Sequence, residues 1–153
     1  MPHALQIFAD YHQIILQDAT AAAAVGWGEL AWPAEALARM LAVAPTVVGI
    51  GTARADVVPV TLEVAAAAPP VPDDCDLVSE ASLDVPSGAV VCLGPTDYLP
   101  DARRFEVAPG RYGVRVHARG LATAEAAGSD RYDVILWPCA DALPPRVVRD
   151  RRG

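Results

Sequence analysis

The chain has 153 residues and no lysine; all twelve of its basic residues are arginine. With a net charge of −7, that leaves a poor electrostatic footprint for nucleic acid, whose phosphates recruit clustered positive charge. Cysteine is scarce. Cys75, Cys92 and Cys139 are too widely spaced for a metal knuckle and too few for a disulfide framework, so they read as reduced, mostly buried small side chains. No apolar run reaches the roughly 18 residues that a membrane span needs. The opening residues place no Lys or Arg before an apolar core, which gives an expectation of no secretory signal and a cytoplasmic location. Aromatic residues are only 6% of the chain. Trp27, Trp32 and Trp137 therefore read as core or interface anchors rather than stacking platforms.

Catalytic signatures are missing as well. Gly49-Ile-Gly51 is a GxG without the third glycine or the following helix of a nucleotide-binding loop. Ser79, Ser82, Ser87 and Ser129 lack the GxSxG elbow of a serine hydrolase. The histidines, His3, His12 and His117, form no HxH or HExxH pair.

What is present points to β structure. Fourteen prolines and eleven glycines punctuate the chain with turns. Residues 110–119 are the plainest strand. Behind a Pro109-Gly110 turn, Tyr112, Val114, Val116 and Ala118 share one face, and Gly113, Arg115, His117 and Arg119 share the other. This period of two predicts one buried and one wet face.

Residues 5–17 read as a strand, or two strand pieces around a bulge near Asp10. Residues 33–43 predict a helix, with Pro33 at its first position and a Leu37, Met40, Leu41 stripe. Residues 46–52 and 57–64 suggest a hairpin, and Pro59 either marks the second as an edge strand, through which copies could self-associate, or marks a bulge in it. Further strands are expected at 77–84, 89–93, 103–107 and 132–137, with a polar loop at 121–131. Seven to nine short strands with one helix, at spacings of roughly 8–12 residues, predict an antiparallel β-sandwich or open barrel. We read residues 1–143 as one β-rich domain and residues 144–153 as an arginine-rich, flexible tail.

The charge is divided unevenly. Residues 1–101 carry thirteen carboxylates against two arginines, a net of −11; residues 102–153 carry six against ten, a net of +4. Asp73, Asp74 and Asp76, with Asp97 and Asp101, form acidic loops suited to a basic protein partner. Arg115 and Arg119 are expected to pair with carboxylates of the N-terminal part. A second candidate site joins Asp10, His12 and His117, two histidines and a carboxylate that could hold a ligand. Arg115 and Arg119 beside His117 would repel a cation, so neither metal nor cofactor is expected there.

Several stretches carry a family resemblance. They are residues 9–14 (Ala-Asp-Tyr-His-Gln-Ile) with Asp18, the tryptophan-containing helix region, residues 50–54 (Ile-Gly-Thr-Ala-Arg), residues 82–88 and Pro109-Gly-Arg-Tyr112. Together they resemble the competence protein J family of small β-rich bacterial proteins, which includes an inhibitor of a DNA-entry nuclease. The resemblance covers most of residues 5–137. It implies a β-rich fold and a protein partner of the nuclease class, offers no catalytic residues to carry over, and is compatible with contact through the acidic N-terminal part. An acidic face would speed encounter with a cleft built for phosphate and compete with DNA there.

Overall fold

Strands β1 (His3–Phe8) and β2 (Gln13–Asp18) come first, separated by the turn Asp10–His12. A short helix α1 (Ala34–Arg39) leads into β3 (Leu41–Ala44), β4 (Val47–Gly51) and β5 (Val57–Val64). Then come β6 (Leu77–Val85), β7 (Ala89–Leu93), β8 (Arg104–Glu106) and β9 (Gly110–Arg119). A single helical turn α2 (Ala124–Ala127), β10 (Arg131–Pro138) and β11 (Arg146–Asp150) complete the order. This is a computed structural model, and it describes residues 2–21 and 30–153.

The strands form a six-stranded sheet, β1-β5-β10-β9-β6-β11, and a five-stranded sheet, β3-β4-β2-β7-β8. Neither closes on itself, so the architecture is the β-sandwich, with eleven strands among the described residues rather than seven to nine. The core lies between the sheets. Ile14, Leu16, Val48, Ile50 and Val90 from one sheet meet Val60, Leu62, Val114, Val134 and Leu136 from the other. Burying such a set at about 25 cal/mol per Å2 is the main stabilising term. A second cluster, Ile15, Val47, Val91 and Leu93, lies on the outer face of the five-stranded sheet, under Leu30, Leu99 and Ala102.

Five expectations need correction. Residues 33–43 are not one helix. Pro33 holds the N-cap position, but Met40 turns left-handed (φ 54°) and Leu41 already starts β3. Residues 46–52 and 57–64 are not a hairpin, because β4 and β5 lie in opposite sheets. Nor is β5 an edge; it runs between β1 and β10. Pro59 fits because the parallel ladder with β10 begins one residue later, with Tyr132 opposite Val60, so the missing N–H removes no bond of that ladder. The arginine-rich segment 144–153, expected as a tail, supplies β11, which pairs with β6 around a bulge between Val147 and Arg149. Trp27 and most of the small-residue connection before it lie outside the described residues.

The fifth correction concerns β9. Tyr112, Val114, Val116 and Ala118 face the core as the alternation predicts. The opposite face is not wet: Arg115 is 7% and His117 5% exposed. β5 and β6 run parallel with β10 and β9 between them, so the connection 65–76 must cross the outside of the sheet. It does so as a strap. Arg115 donates to the Pro69 carbonyl, Arg119 meets Asp74 at 3.0 Å, and Cys75 is buried.

Candidate functional site

The strand registers bring one set of connections to the same end of the sandwich. Phe8, the last residue of β1, lies opposite Val57, the first of β5; Arg131, the first of β10, lies opposite Arg119, the last of β9. In the other sheet Gln13 opens β2 opposite Gly51 at the close of β4, and Leu93 closes β7 opposite Ile15. Bonds between the connections tie this end together. The Ala9 N–H donates to the Asp56 carbonyl (2.9 Å), Thr52 N–H to the His12 carbonyl (2.9 Å), and Ala53 N–H to the Tyr132 hydroxyl (2.8 Å). Gly94 runs so close to the Phe8 carbonyl that any Cβ there would collide with it.

The carboxylates expected at a partner surface all project from connections at this end, but they do not remain equally free. Asp73 pairs with Arg149 (3.1 Å) and Asp74 with Arg119 (3.0 Å), which holds the Asp74 carboxyl below its ordinary range. Asp76 accepts the Leu121 N–H at 2.9 Å. The predicted pairing of the late arginines with early carboxylates is thus present, and it takes up Asp73 and Asp74. Asp97, like Asp76, accepts only a backbone N–H, that of Gly94 (2.8 Å), closing its own turn. Asp101 ends the single turn Leu99–Asp101, and Asp10 accepts its neighbour Tyr11 N–H at 3.0 Å. None of these three meets an arginine among the described ion pairs. Tyr11 and Tyr98 beside them are 67% and 69% exposed, and Phe8, Leu37 and Val57 add exposed apolar surface nearby.

Asp10, His12 and His117 are not joined. Asp10 and His12 sit in the exposed turn between β1 and β2, where His12 Nδ1 donates to the Thr52 carbonyl (3.2 Å). His117 lies under the strap, opposite Asp133. Burial pushes its pKa down to about 4, and Arg119 and Arg115 push in the same direction against Asp133 and Asp74. Its Nε2 has no hydrogen-bond partner. Among the described residues no group of three or more His, Cys, Asp or Glu side chains is placed to hold a metal. No described helix is long and apolar enough to cross a membrane.

The structure also shows a cleft that the sequence did not reveal. It has a volume of about 250 Å3 and lies between the turn Asp10–His12 and the end of α1, lined by Tyr11, Gln13, Trp32, Leu37 and Met40 among others. The bulge expected near Asp10 was its one sequence signal. The remaining wall comes from Trp32 and α1, which only the tertiary fold places opposite.

No family model matches the chain, and no curated protein matches it. Two solved structures are similar to it. One is ComJ, inhibitor of the DNA degrading activity of NucA, from Bacillus subtilis. It is 15% identical over 91% of this chain and 96% of that chain, with a TM-score of 0.66. The other, crocagin biosynthetic gene J, is 19% identical over 92% of this chain and 98% of that one, with a TM-score of 0.58. Likeness at these identities shows a shared fold: the sandwich described above is the fold of ComJ, as the resemblance in its sequence implied.

Proposed function

We propose that this protein binds and inhibits a nuclease, without catalysis of its own, by presenting the loop end of the sandwich to the enzyme's phosphate-binding cleft. The observation that carries this reading is the alternation of arginine-free carboxylates, Asp10, Asp97 and Asp101, with the exposed rings of Tyr11 and Tyr98. Exposed tyrosines with apolar neighbours supply anchoring area, and the carboxylates around them supply attraction to a basic surface. The fold shared with an inhibitor of NucA supports the choice of partner class. Asp73 and Asp74 contribute less, because each already pairs with an arginine of the chain.

The test adds the purified protein to a NucA-type nuclease and follows DNA cleavage over a range of salt concentrations. Inhibition is expected, weakening with salt. Asp97→Asn with Asp101→Asn should weaken it at least tenfold, and Asp73→Asn should change it little. Absence of both inhibition and complex formation at low salt would refute the proposal.

A further inference from the structure

Within the described residues, three non-glycine residues adopt left-handed backbone: Tyr11 (φ 55°), His12 (φ 59°) and Met40 (φ 54°). All three line the cleft between the β1–β2 turn and α1. Left-handed geometry is the natural place for glycine, and methionine at a helix C-terminus gains nothing from it. Strain held at several residues around one concavity is a mark of a site whose side chains are required there.

Those side chains have a consistent chemistry. The Trp32 ring, Tyr11, Leu37 and Met40 give apolar and aromatic walls, and Leu37 is left 61% exposed at the rim. Gln13 Oε1 is buried without a hydrogen-bond partner. His12 gives its Nδ1 proton to the Thr52 carbonyl, so Nε2 of the neutral ring is an acceptor. Among the described residues no basic side chain besides His12 lines the cleft, and Asp10 adjoins it. Aromatic faces, unsatisfied acceptors and a neighbouring carboxylate are complementary to a cation with several N–H donors. A guanidinium fits this better than an ammonium, since it stacks flat on a ring while its edge donates.

We infer that this cleft receives an arginine side chain of the protein partner, stacked between Tyr11 and Trp32, with the Gln13 side chain rotating to bring its Oε1, covered in the empty cleft, to a guanidinium donor. The inference rests on the proposed binding role and names the anchor within it.

Two measurements separate the inference from that role. In the first, N-acetyl-arginine amide is titrated into the isolated protein while NMR follows the Trp32 indole N–H and the Gln13 side-chain amide. N-acetyl-citrulline amide and N-acetyl-leucine amide serve as controls. Saturable shifts with the arginine probe alone are expected, lost in Gln13→Leu. Equal shifts with leucine or citrulline, or none with arginine, would overturn the assignment. In the second, Tyr11→Ala and Gln13→Leu are compared with Asp97→Asn in nuclease inhibition, after thermal unfolding has verified each fold. At least tenfold weaker inhibition is expected for Tyr11→Ala and Gln13→Leu. Inhibition that falls with Asp97→Asn but survives both cleft variants would overturn the arginine site and leave the inhibitory role standing. Arginine-specific shifts without any inhibition would do the reverse.

Discussion

Arg115 and Glu80 stand opposite each other on β9 and β6, and their side chains meet at 3.0 Å while almost wholly withdrawn from water. The guanidinium also lies over the Trp137 ring, 5.2 Å from its centre, and Glu80 receives Arg146 from β11 through its other oxygen. Removing one partner strands the other charge in the interior. Glu80→Ala should therefore cost about 3–5 kcal/mol in urea unfolding. The double variant Glu80→Leu with Arg115→Met should cost less than Glu80→Ala alone. A double variant at least as damaging would show that the pair is worth more than its desolvation.

His117 sets an acid limit on stability. Its pKa falls from 6.5 to about 4 on folding, so between these values the unfolded chain takes up a proton that the folded chain refuses. Stability should fall as pH drops through that window, by about 3 kcal/mol once pH is below 4. In His117→Phe this component should vanish. The check is the denaturation midpoint of both proteins between pH 7 and pH 4; parallel curves would remove His117 as the cause.

Gly113 leaves room for a ring. It lies opposite Trp137 in the β9–β10 ladder, and any Cβ at this position would collide with the indole. Gly113→Ala should displace Trp137 and cost about 1–3 kcal/mol. The displacement should also shift the tryptophan fluorescence maximum, and an unchanged spectrum with unchanged stability would contradict the contact.

Tyr132 bridges the buried Asp130 and the half-buried Ala53. Its hydroxyl donates to Asp130 (2.7 Å) and accepts the Ala53 N–H, while Asp130 also holds Arg54 at 2.7 Å. Tyr132→Phe leaves the Ala53 N–H without its partner and Asp130 one donor short. A loss of about 1–3 kcal/mol is expected, with faster amide hydrogen exchange at Ala53. Exchange at Ala53 equal to that of the parent would show that water replaces the hydroxyl.

Chain ends that look solvated can be structural. Arg149 donates to the Pro72 carbonyl (2.6 Å) and to Asp73, and Arg151 reaches the Asp73 carbonyl (2.6 Å). Deleting residues 144–153 should loosen the strap where it crosses β9. Faster amide exchange at Asp76, whose N–H donates to the Ala118 carbonyl, would report it. Unchanged protection would mean that the strap holds without β11.

Much of the sandwich is legible where one strand face is buried. Tyr112, Val114, Val116 and Ala118 follow the alternation they display, because period-two patterning is local information. Their neighbours Arg115 and His117 do not, because the strap that covers them is an alanine–proline stretch, residues 65–72, that reads as a loop whatever it lies upon. The same reason hides β11, since arginines look solvated until their carboxylate partners are located in space. The helix stripe misled at Leu37, which is exposed, because the backbone reverses at Met40 before a second turn can bury it. Of the candidate acidic residues, composition could not separate Asp97 and Asp101 from Asp73 and Asp74; only the ion pairs of Arg119 and Arg149 do so.

The place of β5 also bears on how the chain is made. Its parallel neighbour β10 arrives some seventy residues later, and Thr61 meets Asp133 across that gap at 2.8 Å. During synthesis β5 exists with β1 on one side and a bare ladder on the other. Open ladders of this kind recruit stray strands, and distant pairings are slow to form. A ribosome paused before residue 131 would hold a half-built sheet in which β5 and β9 both lack β10, and the open margin of β5 includes Thr61 and Glu63. Pro59, which cannot donate, stands at the entrance to that margin and narrows the stretch on which a foreign strand could begin.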